Sequence, residues 1–278
     1  MSLTIDQAFI KQFESDVHMQ YQQYGTKLRN TVRVKNGVQG VSTTFQKVGK
    51  GAASSKARHG LVPTMNVTHE PIECMLQDFY AGDWLDAMDE LKVNTDERRV
   101  IASAGAYALG RKTDELIINA LSQAPNTVYE NNEGLTKGKI LEAVEKLNEL
   151  SVPDDGQRFA VVGVHQWSEL LNIKEFSSSD YTGENYAYLN GSEARKWMGI
   201  IWILHNNLPF YEGGNIRECF IYHKTAIGHA IGSEIKSDIS WQGERQSHFV
   251  SNSMSQGSCL IDENGIVKIN CLDNAPLV

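Results

Sequence analysis

No apolar run in this chain approaches the length needed to cross a bilayer; the longest, "MGIIWIL", is seven residues. The start, "MSLTIDQAFIKQFESD", lacks the basic residues and apolar core of a secretion signal, so synthesis in the cytoplasm is expected. The four cysteines, Cys74, Cys219, Cys259 and Cys271, form no C-x-x-C pair. That spacing argues against a zinc ribbon or a redox dithiol and fits free thiols. Cys74 and Cys271 sit in apolar strand patterns and are expected to be buried and inert. An excess of positive charge is also missing: 26 Lys and Arg stand against 34 Asp and Glu, a formal charge of −8. A chain built to wrap nucleic acid would carry the opposite balance, so only a local patch could touch it.

Catalytic signatures are absent too. His223 and His229 are too far apart for the i, i+4 pair of H-E-x-x-H, and His205, ahead of Asn206-Asn207, reads as a turn residue rather than a ligand. No G-x-S-x-G elbow occurs. The basic, glycine-rich stretch "VGKGAASSKARHGLVP" (48–63) fails the phosphate-loop test, because Lys56 follows serine and precedes alanine. The G-x-G at Gly49 and Gly51 runs on into serines, and no helix pattern follows. Carboxylates crowd at Asp83, Asp86, Asp89 and Glu90, with a spacing that fits one side of a short helix. A cation site is conceivable there, but an acidic face turned to solvent or to a partner is the simpler reading. No catalytic residue, metal ligand or cofactor is assigned.

What is present is a pattern of elements. With 41% apolar and 22% charged residues over 278 positions, the chain has the makings of one large domain or two lobes. Residues 4–29 read as an amphipathic helix, with Ile5, Phe9, Phe13, Val17, Tyr21 and Tyr24 at three- and four-residue steps. Residues 31–48, with an Asn-Gly turn at Asn36-Gly37, and 63–80 read as two extended arms around a mobile basic tip. The strongest helix follows at 94–122, with Asn94 and Glu97 at capping-box spacing. Its length would be ~40 Å. Its middle is rich in small residues, and a glycine there costs about 1 kcal/mol against alanine. Ala104, Gly105 and Ala108 are therefore expected to take the close approach of another element.

Downstream, 136–150 reads as a helix, "RFAVVGVH" as a buried strand, "HQWSELLNI" as a short helix and 176–193 as a long polar loop. "MGIIWILHNNLP" and "RECFIYH" read as strands, "KTAIGHAIG" as a small-residue helix, and "SEIKSDISW", "SHFVSNSM" and "SCLIDENGIVKINC" as strands, the last holding a hairpin turn at Asn264-Gly265. The class is α+β without regular strand–helix alternation or internal repeats.

The order of these parts, with the wording "KLRNTVR", "STTFQKVGKGAASSKARHG", "YAGDW" and "AGAYALGRKTDELII", resembles the major capsid proteins of tailed bacteriophages, which have the Hong Kong 97-type fold. The resemblance is dense over 20–121 and looser over 136–278. It implies an N-arm at 1–30, an E-loop at 31–80 and a peripheral domain at 81–150 whose spine helix is 94–122. It further implies an axial domain at 151–256 and C-terminal strands at 257–278 that return to the peripheral domain. The implied function is structural and not enzymatic: self-assembly, as hexamers and pentamers, into an icosahedral shell around a DNA genome held without sequence-specific binding. The chain starts at the N-arm, so the resemblance implies a separate scaffolding protein, besides a portal and a decoration protein as partners. It implies no membrane and no cofactor, and it places the product in the virion after assembly in the host cytoplasm. No lysine–asparagine pair matching the crosslink of the namesake phage is identifiable.

On this reading Lys47, Lys50, Lys56, Arg58 and His59 form the tip of an intersubunit loop, and Asp83, Asp86, Asp89 and Glu90 form its acidic partner patch on a neighbour. Three other readings stand beside it. They are an encapsulin-like compartment shell, a soluble enzyme whose basic lid at 48–63 holds an anionic substrate, and a nucleic-acid-binding module using the same charge.

Overall fold

The computed structural model describes residues 22–90, 97–129, 133–177, 195–211 and 214–275. The expected N-terminal helix lies outside the described residues up to 21, as do the Asn94 cap and most of the loop 176–193; the described end of that helix, 22–28, is irregular instead and leads into a 3-10 turn at Arg29–Thr31. The chain divides into two compact units. One comprises residues up to Gly25, Asp78–Arg111 and Glu234–Met254; the other comprises Thr26–Gln77, Lys112–Ser233 and Ser255–Val278.

The second, larger unit is built on a six-stranded mixed sheet. Its strands are β5 (Thr127–Val128), β6 (Arg158–Val162), β7 (Arg195–Trp197), β8 (Ile200–Leu204), β9 (Ile216–His223) and β12 (Ile266–Leu272), in the order β5-β12-β9-β6-β8-β7. β12 runs antiparallel to β9 and parallel to β5, and β6 runs parallel to β8. Helix α3 (Lys137–Glu149) starts where the Thr136 hydroxyl accepts a hydrogen bond from the Lys139 amide. Its Ile140, Ala143 and Leu147, on one face, enter the core with Val161, Phe220 and Ile269 of the sheet. Helix α4 (Val164–Asn172) adds Trp167 and Leu170, and Phe176 meets Trp167, Trp197 and Trp202 edge-on.

A second, smaller core in the same unit holds a β-hairpin. β2 (Ser42–Val48) and β3 (His69–Met75) pair antiparallel from Ser42↔Met75 to Val48↔His69. Phe45 and Cys74, the buried side chains of the pair, meet Ala230 and Ile261. The extended arms are thus shorter than expected. Residues Arg33–Asn36 form β1, which pairs in parallel with the start of β10 (Ile227–Gln242), from Arg33↔Gly228 to Asn36↔Ile231. The Asn36-Gly37 turn, with Gly37 at φ +67°, therefore joins strands of two different sheets and closes no hairpin.

The first unit contains β4 (Gln77–Asp86, from Asp78 onward), the short helix α1 (Ala87–Glu90), the N-terminal part of α2 (Glu97–Leu121), and the later parts of β10 and of β11 (Ser247–Leu260), sheet order β10-β11-β4. At 25 residues α2 spans about 37 Å.

Three further sequence expectations about secondary structure need correction. "KTAIGHAIG" is a 3-10 turn at Lys224–Ala226 followed by strand. Its alanines and glycines tolerate a helix, but the parallel partner β1 and the Phe45 ring lying on Gly228 require a flat, extended backbone. Asp83 and Asp86 belong to strand β4 and not to a helix, so in a regular strand they point to opposite faces. The turn at Asn264-Gly265 is a 3-10 turn carrying the chain from β11 to β12, which lie in separate sheets.

Candidate assembly surfaces

The hairpin β2–β3 is clamped at its root and open at its tip. At the root, Gly228 leaves room for Phe45, whose ring carbons would stand 2.7 Å from any Cβ added there. The Leu76 amide donates to the Val41 carbonyl at 2.8 Å, and the Arg33 guanidinium lies 5.6 Å from the centre of the Phe45 ring. The ladder continues one step past β2, where the Gly49 amide donates to the Thr68 carbonyl at 2.8 Å. Beyond that step, 50–67 contains no helix or strand.

The structure separates the expected tip residues. Lys47 is not at the tip: it sits in β2, and its ammonium pairs with Asp262 at 3.2 Å. Lys50, Lys56, Arg58 and His59 are exposed on the tip. Lys56 donates to the Gly60 carbonyl at 3.1 Å, and the Gly60 amide closes a turn on the Ala57 carbonyl. His59, at φ +66°, occupies the left-handed region that this turn demands. Apolar side chains stand beside the charges. Leu61 is 95% exposed and Val62 74%, with Met65 close behind them in the sequence and also open to solvent. Attention to the lysines hid this apolar component, which was readable in "GLVPTM".

In the other unit, Asp83 and Asp86 are exposed, and each turns one oxygen back on its own backbone. Asp83 accepts from the Trp84 amide and Asp86 from the Met88 amide, both at 2.8 Å, the latter capping α1. The side chains of Asp89 and Glu90 lie outside the described residues. Beside these carboxylates Trp84 packs on Phe249, 4.5 Å between ring centres, under the Arg245 guanidinium at 4.4 Å. Tyr80 and Met88 are exposed on the same segment.

The small residues of α2 have unequal surroundings. A Cβ on Gly105 would collide with the Asn252 amide and come within 3.3 Å of the Ala81 carbonyl. Asn252 is itself held there, bonded to Ser237 and donating to Ala81 at 3.4 Å. Ala104 and Ala108 are half-buried. Gly110 lies against the backbone of Gly25.

Sequence reasoning missed a buried polar knot in the larger unit. Asp114, on α2 and fully buried, accepts from the Thr26 hydroxyl, from the Lys27 and Leu28 amides (each at 3.1 Å to Oδ1), and from His205 Nε2 at 3.2 Å. His205 is buried too, and its Nδ1 accepts from the Asn207 amide, which leaves Nε2 as the donor to the carboxylate. Burial alone would push the Asp114 carboxyl up; the bonds from His205, Thr26, Lys27 and Leu28 outweigh it and hold the group below its ordinary value. The sequence offered little signal, since Asp114 stands in the charged run "RKTDE" just ahead of the apolar "LII" and reads as a surface residue.

The cysteines adjoin in two pairs, Cys74 with Cys259 and Cys219 with Cys271, all as free thiols. Hydrogen bonding within each pair, and then burial, raise the thiols of Cys259 and Cys271. Protonated thiols of this kind are poor nucleophiles. Among the described residues, no three His, Cys, Asp or Glu side chains are grouped to hold a metal ion. No described helix is long and apolar enough to cross a membrane.

These surfaces belong to a recognisable chain. A model of the phage capsid protein family matches residues 5–273, nearly the full length. The chain belongs to that family. Solved structures agree in fold with this capsid protein. The capsid of cyanophage P-SCSP1u is 16% identical with a TM-score of 0.77, covering 96% of this chain and 94% of that one. The capsid of Ralstonia phage GP4 is 11% identical with a TM-score of 0.75, over 97% and 96%. Mycobacterium phage Che8 gives 17% identity and a TM-score of 0.72, over 96% and 98%. No curated protein matches the chain. The mixed helix-and-sheet architecture is thus the Hong Kong 97-type capsid fold, and the protein is a structural component of a phage shell.

Proposed function

We propose that this protein is the major capsid protein of a tailed phage, closing as hexamers and pentamers into an icosahedral shell around DNA. The observation that carries the reading is a hairpin with a buried root and an exposed, basic and apolar tip, in a chain of the capsid family. An isolated two-stranded arm is marginal in water, so its exposed end needs a surface on another copy. On this reading residues 1–30 are the N-arm and 31–80 the E-loop. The peripheral domain is 81–150 and the axial domain 151–256, with the strands of 257–278 returning to the peripheral domain. A scaffolding protein, a portal and a decoration protein are its partners, and assembly takes place in the host cytoplasm. The protein's work is mechanical rather than enzymatic. The net charge of −8 keeps the shell from binding its cargo tightly.

The tip of one copy meets the segment around Asp83, Asp86 and Trp84 of a neighbour, with Lys50, Lys56 and Arg58 on the carboxylates and Leu61 and Val62 on the aromatic rings. A single exposed ion pair contributes ~0–1 kcal/mol, so repetition around the shell and the apolar contact supply the rest. Electron microscopy of the protein coexpressed with its scaffolding partner tests the assembly: closed shells or capsomers are expected, and a persistent small globular oligomer overturns it. Reversal of charge by Lys56→Glu with Arg58→Glu tests the contact, with impaired assembly expected; normal particles from that variant would exclude it.

A further inference from the structure

Of the chain's three Asn-Gly steps, Asn190-Gly191 lies outside the described residues; the other two, Asn36-Gly37 and Asn264-Gly265, sit on turns that the fold treats oppositely. In both, Asn36 and Asn264 are exposed. An asparagine followed by glycine is chemically self-reactive. The glycine amide nitrogen attacks the asparagine side-chain carbonyl carbon, a C–N bond forms, and the side-chain nitrogen leaves as ammonia. The resulting cyclic imide takes up water at either carbonyl to give aspartate or isoaspartate. The only co-reactant is water, and nothing is oxidised or reduced. The rate depends on whether the glycine nitrogen and the asparagine side chain can rotate into contact.

At Asn264-Gly265 they cannot do so without local unfolding. The Gly265 amide donates to the Asp262 carbonyl at 3.2 Å, and the Asn264 amide to the Asp262 carboxylate at 3.2 Å. Gly265 is buried, with the Ala226 side chain 2.7 Å from where a Cβ would stand. The attacking nitrogen is therefore both bonded and packed.

At Asn36-Gly37 none of these restraints is present among the described residues. Asn36 ends β1, an edge strand. The Val38 amide donates to Ile231 across the sheet at 3.0 Å, so the alternating backbone turns the Gly37 amide away from β10. No atom lies within 4 Å of a Cβ position on Gly37, and its φ of +67° puts it in an open left-handed turn. We infer that Asn36 is a site of spontaneous deamidation in the folded protein and that Asn264 is protected by the fold. Either product places a carboxylate at the joint where β1 hands the chain to the hairpin, and the isoaspartyl form also adds a methylene to the main chain.

Peptide mapping by mass spectrometry, on intact folded protein held in mildly alkaline buffer and on the same protein in denaturant, tests this. In folded protein, residue 36 is expected to convert to a mixture of aspartate and isoaspartate while residue 264 stays an amide. Denaturation should accelerate conversion at 264 by at least about tenfold, because reaction there waits on local opening, and change the rate at 36 only slightly. An Asn36→Gln variant, which must form a larger and slower ring, should fold normally and lose the signal at 36 alone. Equal rates at the two sites in folded protein, or an amide at 36 that survives folding and converts only in denaturant, would overturn the inference.

Discussion

Two irregular segments of the larger unit, 26–28 and 50–67, contain no β-strand, yet they meet opposite fates. In the first, one buried carboxylate, Asp114, collects the Lys27 and Leu28 amides, the Thr26 hydroxyl and the His205 ring. In the second, the bonds are local, as between Lys56 and Gly60, and the side chains face solvent. Backbone without a ladder is stable inside a protein only when something else accepts its donors. Where that acceptor is supplied within the chain, the segment is part of the core; where it is not, the segment is available to another copy.

The comparison can be broken at several points. Asp114→Ala should have the largest effect, since it strands buried donors that each cost about 1–3 kcal/mol unsatisfied. A drop of several kcal/mol in urea unfolding is expected, and a drop below about 1 kcal/mol would mean that the knot is not structural. The same group gives a pH dependence. Its folded value lies below its unfolded one, so its stabilisation is fully present above the unfolded carboxylate value of about 4 and is lost as pH falls through the folded value. Denaturant midpoints across the acid range should show this slope, and Asp114→Asn should flatten it.

Phe45→Ala comes next. It empties the smaller core at the hairpin root and should cost about 3–5 kcal/mol, read as a fall in melting temperature. Proteolysis sharpens the other side: brief trypsin treatment of unassembled protein should cut first after Lys50, Lys56 or Arg58, with both fragments otherwise intact. First cleavage near Lys27 instead would reverse the contrast. The smallest effect is expected for Lys47→Met, which removes a partly exposed pair with Asp262 worth ~0–1 kcal/mol. Thermal denaturation should barely register it.

Much of this was legible from residue order. The apolar spacing of Ile140 and Leu147 and the threonine ahead of them mark α3, and "FAVV" and "CFIY" mark core strands. The exposed tip was legible up to about Gly60, because glycine, serine and lysine offer nothing to bury, but its apolar continuation through Leu61, Val62 and Met65 was missed, since the second arm was expected to begin at 63. Lys47 was misplaced because charge says nothing about where a ladder ends; the register Lys47↔Glu70 and the reach to Asp262 are tertiary facts. His205 and Asp114 stand far apart in the chain, and no local pattern pairs them. "KTAIGHAIG" failed for a related reason, since small residues accept either backbone and the choice fell to β1 and Phe45.

By itself the sequence determined which segments bury apolar surface, where the long helix runs, and that a basic, glycine-rich loop would be left outside. Periodicity and composition are local properties, and these are their direct consequences. Only the tertiary structure decided that Asp114 lies buried at the knot, that Gly105 makes room for Asn252, that Asn36 is reactive where Asn264 is shielded, and that the loop's root is fixed while its tip is free. Each of those depends on which distant segment arrives as a neighbour, and contact between remote residues is settled by packing the whole chain.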